Sequence, residues 1–285
     1  MFSYLQAIII GSLQGITELF PISSLGHSVL LESFLNWNLR QDNPYFLTFL
    51  VATHTATALV LFIFFWRDWL RIIKGLVRSF IARSIDESDK DAKLGWLLVV
   101  GTIPAGILGL LFEETFKKFF SAPQLVAILL ILNGLMLLGA EYLRRKSAER
   151  HTRNSQPQIS KLSWLQAIKI GLFQCLALLP GFSRTGSTIT AGLLMGLNHE
   201  DAARFSFLLA TPIIAAASLL KIPELATTGA HVVLGPTLVG TVCAGVTAYF
   251  SVRFLEKYFK TDKLTPFAFY CIIAGIVTTI IFLLR

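Results

Sequence analysis

The length of its apolar runs most constrains what this chain can fold into. Phe46–Trp66, Leu94–Phe112, Leu125–Leu143, Val232–Phe250 and Pro266–Leu284 are long apolar blocks, and Phe205–Leu220 is a shorter one. Each long block is close to the ~20 residues that cross a hydrocarbon core as a helix. None alternates with the period of a barrel strand, and a backbone in lipid must satisfy its own polar groups, so the blocks are expected to be helices. Composition agrees: 54% of the 285 residues are hydrophobic and 15% are charged, against about 25% charged in a soluble domain. The expected fold is an all-α polytopic membrane protein with about six transmembrane helices. The opening MFSYLQAIIIGSLQG has neither a basic n-region nor a small-residue cleavage site, so no cleaved leader is expected.

The formal charge of +8 is unevenly spread. Most of the Lys and Arg lie in Arg67–Lys93, Arg144–Lys161 and Arg253–Lys263, whereas the segments around Lys117–Lys118 and Lys221 are poor in them. Cytoplasmic loops of membrane proteins carry this excess. The charge therefore reads as an orientation signal with some attraction to anionic lipid, and no nucleic-acid partner is expected. Segments 67–93 and 144–163 are placed inside, and the C-terminus is placed outside. Cys175, Cys243 and Cys271 are scattered in apolar surroundings without metal-ligand spacing, which marks them as packing residues.

The chain contains a degenerate duplication. IIIGSLQGITELFPISSLGH from Ile8 aligns with IKIGLFQCLALLPGFSRTGS from Ile168 at an offset of 160, matching Gly11 with Gly171, Gln14 with Gln174, Ser23 with Ser183 and Gly26 with Gly186. FLVATHT from Phe49 answers FLLATPI from Phe207. Each copy opens on a short apolar segment stopped by Pro21 or by Pro180–Gly181 and followed by a second short helix. Such interrupted pairs read as re-entrant hairpins, because irregular backbone at membrane depth is tolerated only where it is buried or lines a cavity. An odd number of spans between the copies inverts the second. The expected organisation is one membrane domain with a first inverted repeat over 1–143 (hairpin about 2–38 plus three spans). The basic cytoplasmic loop 144–163 follows, then a second repeat over 164–285 (hairpin about 164–197 plus three spans). Two hairpins and six spans make ten helices.

The hairpin tips carry the chemistry. The first reads Glu18-Leu-Phe-Pro-Ile-Ser23-Ser24-Leu-Gly26-His27 and the second Pro180-Gly181-Phe-Ser183-Arg184-Thr185-Gly186-Ser187-Thr188. Glu18 and Arg184 are ionisable groups inside membrane segments, which makes them functional candidates; a buried ion pair pinning the hairpins is the blander reading. Each tip sets hydroxyls and glycines at a helix N-terminus, an arrangement suited to an anion, and Arg184 adds a fork matched to phosphate oxygens. Together they make a phosphoryl-transfer site with Glu18, Ser24, His27 and Arg184 at its centre. Ser23, Gly26, Gly181, Ser183, Thr185 and Thr188 are expected to bind phosphate, and Gln14 and Gln174 to support the site. Either Ser24 or His27 would attack phosphorus, with Glu18 as base or orienting group. His54, in a span beside Thr53 and Thr55, is read as a packing or helix-contact residue. His199 and Glu200 look like an interfacial cap after Asn198, and Asp86, Glu87 and Asp89 look solvated.

At these residues the chain resembles the undecaprenyl-diphosphate phosphatase family, the type associated with bacitracin resistance. QGITELFPISSLGH (Gln14–His27) and PGFSRTGST (Pro180–Thr188) are similar to its two motifs, and GTIPAGILGLLF from Gly101 and AARFSFLLATP from Ala202 to further stretches of it. The resemblance implies hydrolysis of a C55 polyprenyl diphosphate to the lipid carrier of cell-wall synthesis. It also implies a homodimer in the bacterial inner membrane, with the site open to the outer, periplasmic side. It further implies a divalent cation, Mg²⁺ or Ca²⁺, but Gln14 stands where the family's first acidic residue is, and an amide is a poorer ligand for a hard cation. Leu25 and Thr185 stand where the family has threonine and serine. The rival reading is a transporter or flippase for an anionic, polyprenyl-phosphate lipid, which inverted repeats also suit. A structural membrane subunit would leave the intramembrane charges unexplained.

Overall fold

A computed structural model describes residues 3–35, 37, 44–86, 88–112, 115, 119, 122–150, 159–227, 234–261 and 263–284, with backbone alone for 44, 45, 47, 147–150, 160 and 221–227. Eleven α-helices run through these residues, and no strand is present among them. The first hairpin is α1 (Tyr4–Thr17) and α2 (Ser24–Leu35). Then come α3 (Pro44–Phe64), α4 (Trp66–Ala82), α5 (Lys90–Leu111) and α6 (Pro123–Arg150). The second hairpin is α7 (Trp164–Gln174), continued by a 3₁₀ turn at Cys175–Leu178, and α8 (Arg184–Leu194). The chain finishes with α9 (His199–Thr227), α10 (Leu234–Tyr258) and α11 (Thr265–Leu284). Among the described residues, five helices are long and apolar enough to cross a membrane, and the bent pair α3–α4 makes up to six: α5, α10 and α11 over their full length, α6 over Pro123–Lys146 and α9 over His199–Leu220 are the five. This is a multi-pass membrane protein. The expected block at Val232 begins outside the described residues, and Glu87 lies outside them.

The segment 67–93, read from sequence as a loop, holds a helix, which raises the expected ten helices to eleven. α3 ends at Phe64, and at Phe65 the chain turns by 83° into α4. α3 alone has 21 residues, about 31 Å at ~1.5 Å per residue, enough to span. α4 is amphipathic: Trp69, Ile72 and Gly75 are buried while Arg67, Arg71, Lys74 and Arg78 face outward. A helix of that character lies in the interface plane. It stops at Arg83 in the left-handed conformation, and Asp89 caps α5, its Oδ1 accepting from Ala92 N–H at 3.0 Å.

Local chemistry sets the hairpins. Ser3 with Gln6 and Ser163 with Gln166 form capping boxes that start α1 and α7. Small residues let these short helices lie directly on spanning ones. α1 runs along α10, with Tyr4 at Gly235 and Gly15 at Ala244; a Cβ at Gly11 would sit 2.3 Å from the Gly240 carbonyl oxygen. α7 runs along α5, with Gly109 at Leu178; a Cβ at Gly171 would sit 2.3 Å from the Gly101 carbonyl oxygen. α9 packs against α3, α5 and α8 and contributes Phe205, Phe207, Leu208 and Leu209 to the main apolar core. Outward faces carry exposed residues such as Leu110, Val242, Phe250 and Ile273, as lipid contact requires. Where α3 turns into α4, a cavity of about 480 Å³ is lined by Phe64, Arg67, Arg71, Glu200, Arg204 and Glu256. The starts of α4 and α9 and the end of α10 therefore share one end of the bundle.

Candidate active site

The two hairpin tips meet inside the protein. Four hydrogen bonds join the first tip to the second. Gly181 N–H donates to Ser23 Oγ at 3.2 Å, Ser183 Oγ to the Phe20 carbonyl at 3.3 Å, Thr185 Oγ1 to the Glu18 carbonyl at 3.0 Å, and Arg184 Nη2 to Glu18 Oε1 at 3.1 Å. The tips need unusual backbone to do this. Ser23 sits at φ 71° and Gly181 at φ 113°, and any Cβ at Gly181 would fall 2.6 Å from Leu129 Cβ. Ser23 Oγ also accepts from Gly26 N–H at 3.2 Å, and Ser183 Oγ from Gly186 N–H at 3.1 Å. Both serines are N-caps, so α2 and α8 point their N-termini at the junction, where their partial positive charge favours an anion.

Glu18 is the hub. Its Oε2 accepts from Ser24 Oγ at 2.5 Å and from Gln14 Nε2 at 3.1 Å, and His54 Nε2 lies 3.5 Å away; its Oε1 takes Arg184. Arg184 is part-buried, its side chain 11% exposed, and its buried Nε and Nη1 have no protein partner. Two guanidinium nitrogens, with three N–H donors between them, are thus free where unsatisfied donors are costly. Gln14 Oε1 and both amide atoms of buried Gln174 also lack partners. Among the described residues the site holds one carboxylate hydrogen-bonded to a hydroxyl, beside a guanidinium with spare donors. That combination activates an oxygen nucleophile and receives the anionic group it attacks.

Not every residue expected here faces this cleft. His27 Nδ1 donates to the Ser23 carbonyl at 2.7 Å, and its Nε2 lies 2.8 Å from Tyr270 Oη, the two rings stacked at 5.6 Å. His27 thus holds the first tip and ties it to α11, its two ring nitrogens bonded to Ser23 and Tyr270 rather than to Glu18 or Ser24. Thr188 Oγ1 turns to Ser206 Oγ at 2.5 Å, joining α8 to α9. His199 pairs with Glu141 at 2.6 Å and with Arg144 at 3.0 Å, linking α6 to α9.

Two residues at the junction, Asn133 and Tyr270, went unread in the sequence, and a third, His54, expected there as a packing or helix-contact residue, reaches the site. Asn133 on α6 is fully buried and spans both tips: its Nδ2 donates to the Pro21 carbonyl at 3.1 Å and its Oδ1 accepts from Ser183 N–H at 3.0 Å. Its signal was a lone amide inside an apolar span, ILNGLML. His54 reaches Glu18 from α3, and Tyr270 reaches His27 from α11; for these nothing local marked the contact.

A sequence profile of the family described as "Bacitracin resistance protein BacA" matches residues 7–277. The chain is 46% identical over 293 residues to a protein of Mycolicibacterium paratuberculosis named undecaprenyl-diphosphatase, covering 96% of this chain and 95% of the relative. It is 45% identical over 277 residues to a Chromobacterium violaceum protein named undecaprenyl-diphosphatase 2, covering 96% of each. It is 42% identical over 284 residues to an undecaprenyl-diphosphatase of Acidiphilium cryptum, covering 97% of each.

Proposed function

The chain belongs to the bacitracin resistance protein BacA family, and from that membership we propose that it hydrolyses undecaprenyl diphosphate to undecaprenyl phosphate and inorganic phosphate, recycling the lipid carrier of cell-wall synthesis. The observation that carries this reading is the Ser24 hydroxyl held 2.5 Å from a carboxylate that faces Arg184 at 3.1 Å. Ser24 attacks the terminal phosphorus and Glu18 takes its proton. Arg184, through Nε and Nη1, and the N-termini of α2 and α8 stabilise the phosphoryl oxygens. Ser24 is favoured over His27 as nucleophile because both nitrogens of His27 are already engaged. Ser23, Gly26, Gly181, Ser183, Thr185 and Gln14 shape the tips around the phosphate. Thr188 acts from behind, through α9. A transporter or flippase needs anion-binding groups but not a serine hydrogen-bonded to a carboxylate.

A divalent cation is compatible with phosphatase chemistry. The donor set does not build a protein-held site for one: among the described residues Glu18 is the only carboxylate at the junction, both its oxygens are engaged, and Gln14 beside it is an amide. No group of three or more His, Cys, Asp and Glu is placed to hold a metal among those residues. A Mg²⁺ or Ca²⁺ arriving with the diphosphate would be held by substrate oxygens, and no step here runs through it.

The inverted repeat is supported by the way α1 lies along α10 and α7 along α5, each through a glycine set on a carbonyl. α10 ends at the bundle end where α4 begins, so the hairpins enter from opposite ends. The basic residues of α4 mark that end as cytoplasmic, leaving the first hairpin to open outward in a bacterial inner membrane. The homodimer rests on the family resemblance. The test is phosphate release by purified protein from undecaprenyl diphosphate: Glu18→Ala, Ser24→Ala and Arg184→Ala should each lose at least ~10²-fold in kcat. Variants as fast as the wild type would remove the enzyme reading.

A further inference from the structure

His54 sits in the middle of a spanning helix, yet it is aimed at the hub of the site. Its Nδ1 lies 2.8 Å from the Leu50 carbonyl oxygen and its Nε2 3.5 Å from Glu18 Oε2. A carbonyl oxygen only accepts, so Nδ1 carries the hydrogen. A neutral imidazole then presents a lone pair to a carboxylate oxygen, two acceptors face to face. One proton between them turns that opposition into a charge-assisted hydrogen bond. The oxygen concerned, Oε2, is also the one that accepts from Ser24 Oγ, while Arg184 occupies Oε1. Ser24, Glu18 and His54 therefore converge on a single oxygen atom.

Resting on the hydrolase reading, we propose that His54 is a positioning residue that completes the base: the proton leaving Ser24 is taken by Glu18 Oε2 and held between that oxygen and His54 Nε2. As the Ser24 Oγ–P bond forms, the bond from phosphorus to the bridging oxygen breaks. Its electron pair leaves on the polyprenyl monophosphate. In the second half water attacks the phosphoserine, and the stored proton returns to Ser24 Oγ as its bond to phosphorus breaks. The proton from water departs with inorganic phosphate.

The gain from a second acceptor is specific to this burial. A proton left on Glu18 alone would end its ion pair with Arg184, stranding a guanidinium in a buried place. A proton that settles on His54 leaves Glu18 ionised and the pair intact through the step. Among the described residues, the other charged partner of Glu18 is Arg184. α1, packed beside α3, carries no charged residue. Of the described charges of α9 and α10, which flank α3, Glu200, Arg204 and Glu256 gather with Phe64 and Phe65 around the cavity at the α3–α4 turn. That turn is ten residues along α3 from His54, about 15 Å at ~1.5 Å per residue.

The test compares wild type, His54→Gln, Glu18→Gln and Ser24→Ala as purified full-length protein, reading phosphate release from undecaprenyl diphosphate across pH. Glutamine can still bond to Leu50 and Glu18 but takes no proton. His54→Gln should lose roughly 10- to 100-fold in kcat, up to the low end of the range for proton-transfer groups because Glu18 remains as the direct base, with KM within about twofold. The acid limb of its pH profile should move. Unchanged kcat with an unmoved limb, or a change in KM alone, overturns the proposal. If Ser24→Ala and Glu18→Gln are as active as wild type, the hydrolase reading itself has failed, a different result. Nitrogen-15 NMR of histidine-labelled wild-type protein needs no His54 variant: the Nε2 resonance of His54 should shift in Glu18→Gln, and a resonance indifferent to that change also overturns the proposal.

Discussion

Replacing Asn133 with leucine should loosen both hairpin tips at once. The amide is fully buried and makes three contacts: Nδ2 to the Pro21 carbonyl at 3.1 Å, Nδ2 to Cys271 Sγ at 3.4 Å, and Oδ1 from Ser183 N–H at 3.0 Å. Leucine keeps the volume and removes all three. The Ser183 N–H then has no acceptor, at about 1–3 kcal/mol for a buried unsatisfied donor. The Pro21 carbonyl keeps only the weak Cys271 Sγ contact at 3.9 Å, so its loss belongs at the low end of the same range. The sum is about 2–4 kcal/mol, or a fall of about 5–10 °C in melting temperature for a chain of this size. Because Ser183 caps the helix that begins with Arg184, the guanidinium loses its anchor too. Misplacement of a reacting group by an ångström costs up to ~10²-fold in rate. Thermal unfolding in detergent and phosphate release, measured on the same preparation, check both numbers. A variant melting within 2 °C of wild type (about 1 kcal/mol or less) with unchanged kcat would refute the idea that one amide holds the tips together.

Other substitutions probe other links. Ser23→Gly and Ser23→Ala both lose the hydroxyl that accepts from Gly26 and Gly181, but only alanine keeps a Cβ at φ 71°; glycine should be the more stable by ~1 kcal/mol, and equal melting temperatures would contradict the strain. Gly171→Ala places a Cβ 2.3 Å from the Gly101 carbonyl oxygen, which should separate α7 from α5 and cost ~1–3 kcal/mol or more; a variant with wild-type melting would show that the two helices yield freely. Arg184→Lys keeps the charge but loses the fork, and kcat/KM should fall at least ~10²-fold, whereas a merely structural ion pair would leave kcat/KM near wild type. The Asp89 carboxyl is held below the usual carboxylate range, chiefly by the Ala92 N–H that it caps and then by the Arg78 guanidinium. Its stabilisation is therefore present above the unfolded value near ~4 and is lost as pH falls through the lower folded value. Asp89→Ala should cost ~1 kcal/mol at neutral pH, and wild type and variant should converge on acidification below about pH 4; a gap that persists at low pH would show that the carboxylate is not the cap.

Much of the architecture was present in local pattern. A helix in lipid must satisfy its own backbone, so the spanning segments announce themselves by length, and the stops at Pro21 and Pro180–Gly181 follow from residues that cannot continue a helix. The two motifs placed an acid, hydroxyls and a guanidinium at the ends of short helices. α4 was also written in the chain, with Arg67, Arg71, Lys74 and Arg78 three or four residues apart, but basic residues between apolar blocks read equally well as a loop. Only its packing on α5, with Gly75 against Ala92, sets it as a helix turned 83° from α3.

The sequence by itself determined which stretches lie in the membrane and which residues carry reactive groups, because both depend on neighbours along the chain. The tertiary structure alone decided what those groups touch. Glu18 meets Arg184 across 166 positions because glycines seat the hairpins on α10 and α5 and Asn133 bridges their tips. His27 and His54 are both histidines near hydroxyls in the sequence, yet one leans on Tyr270 and the other on Glu18. Helical periodicity gives the face a side chain occupies; which helix covers that face is set by close backbone approach between segments distant in the chain, and no local signal records it.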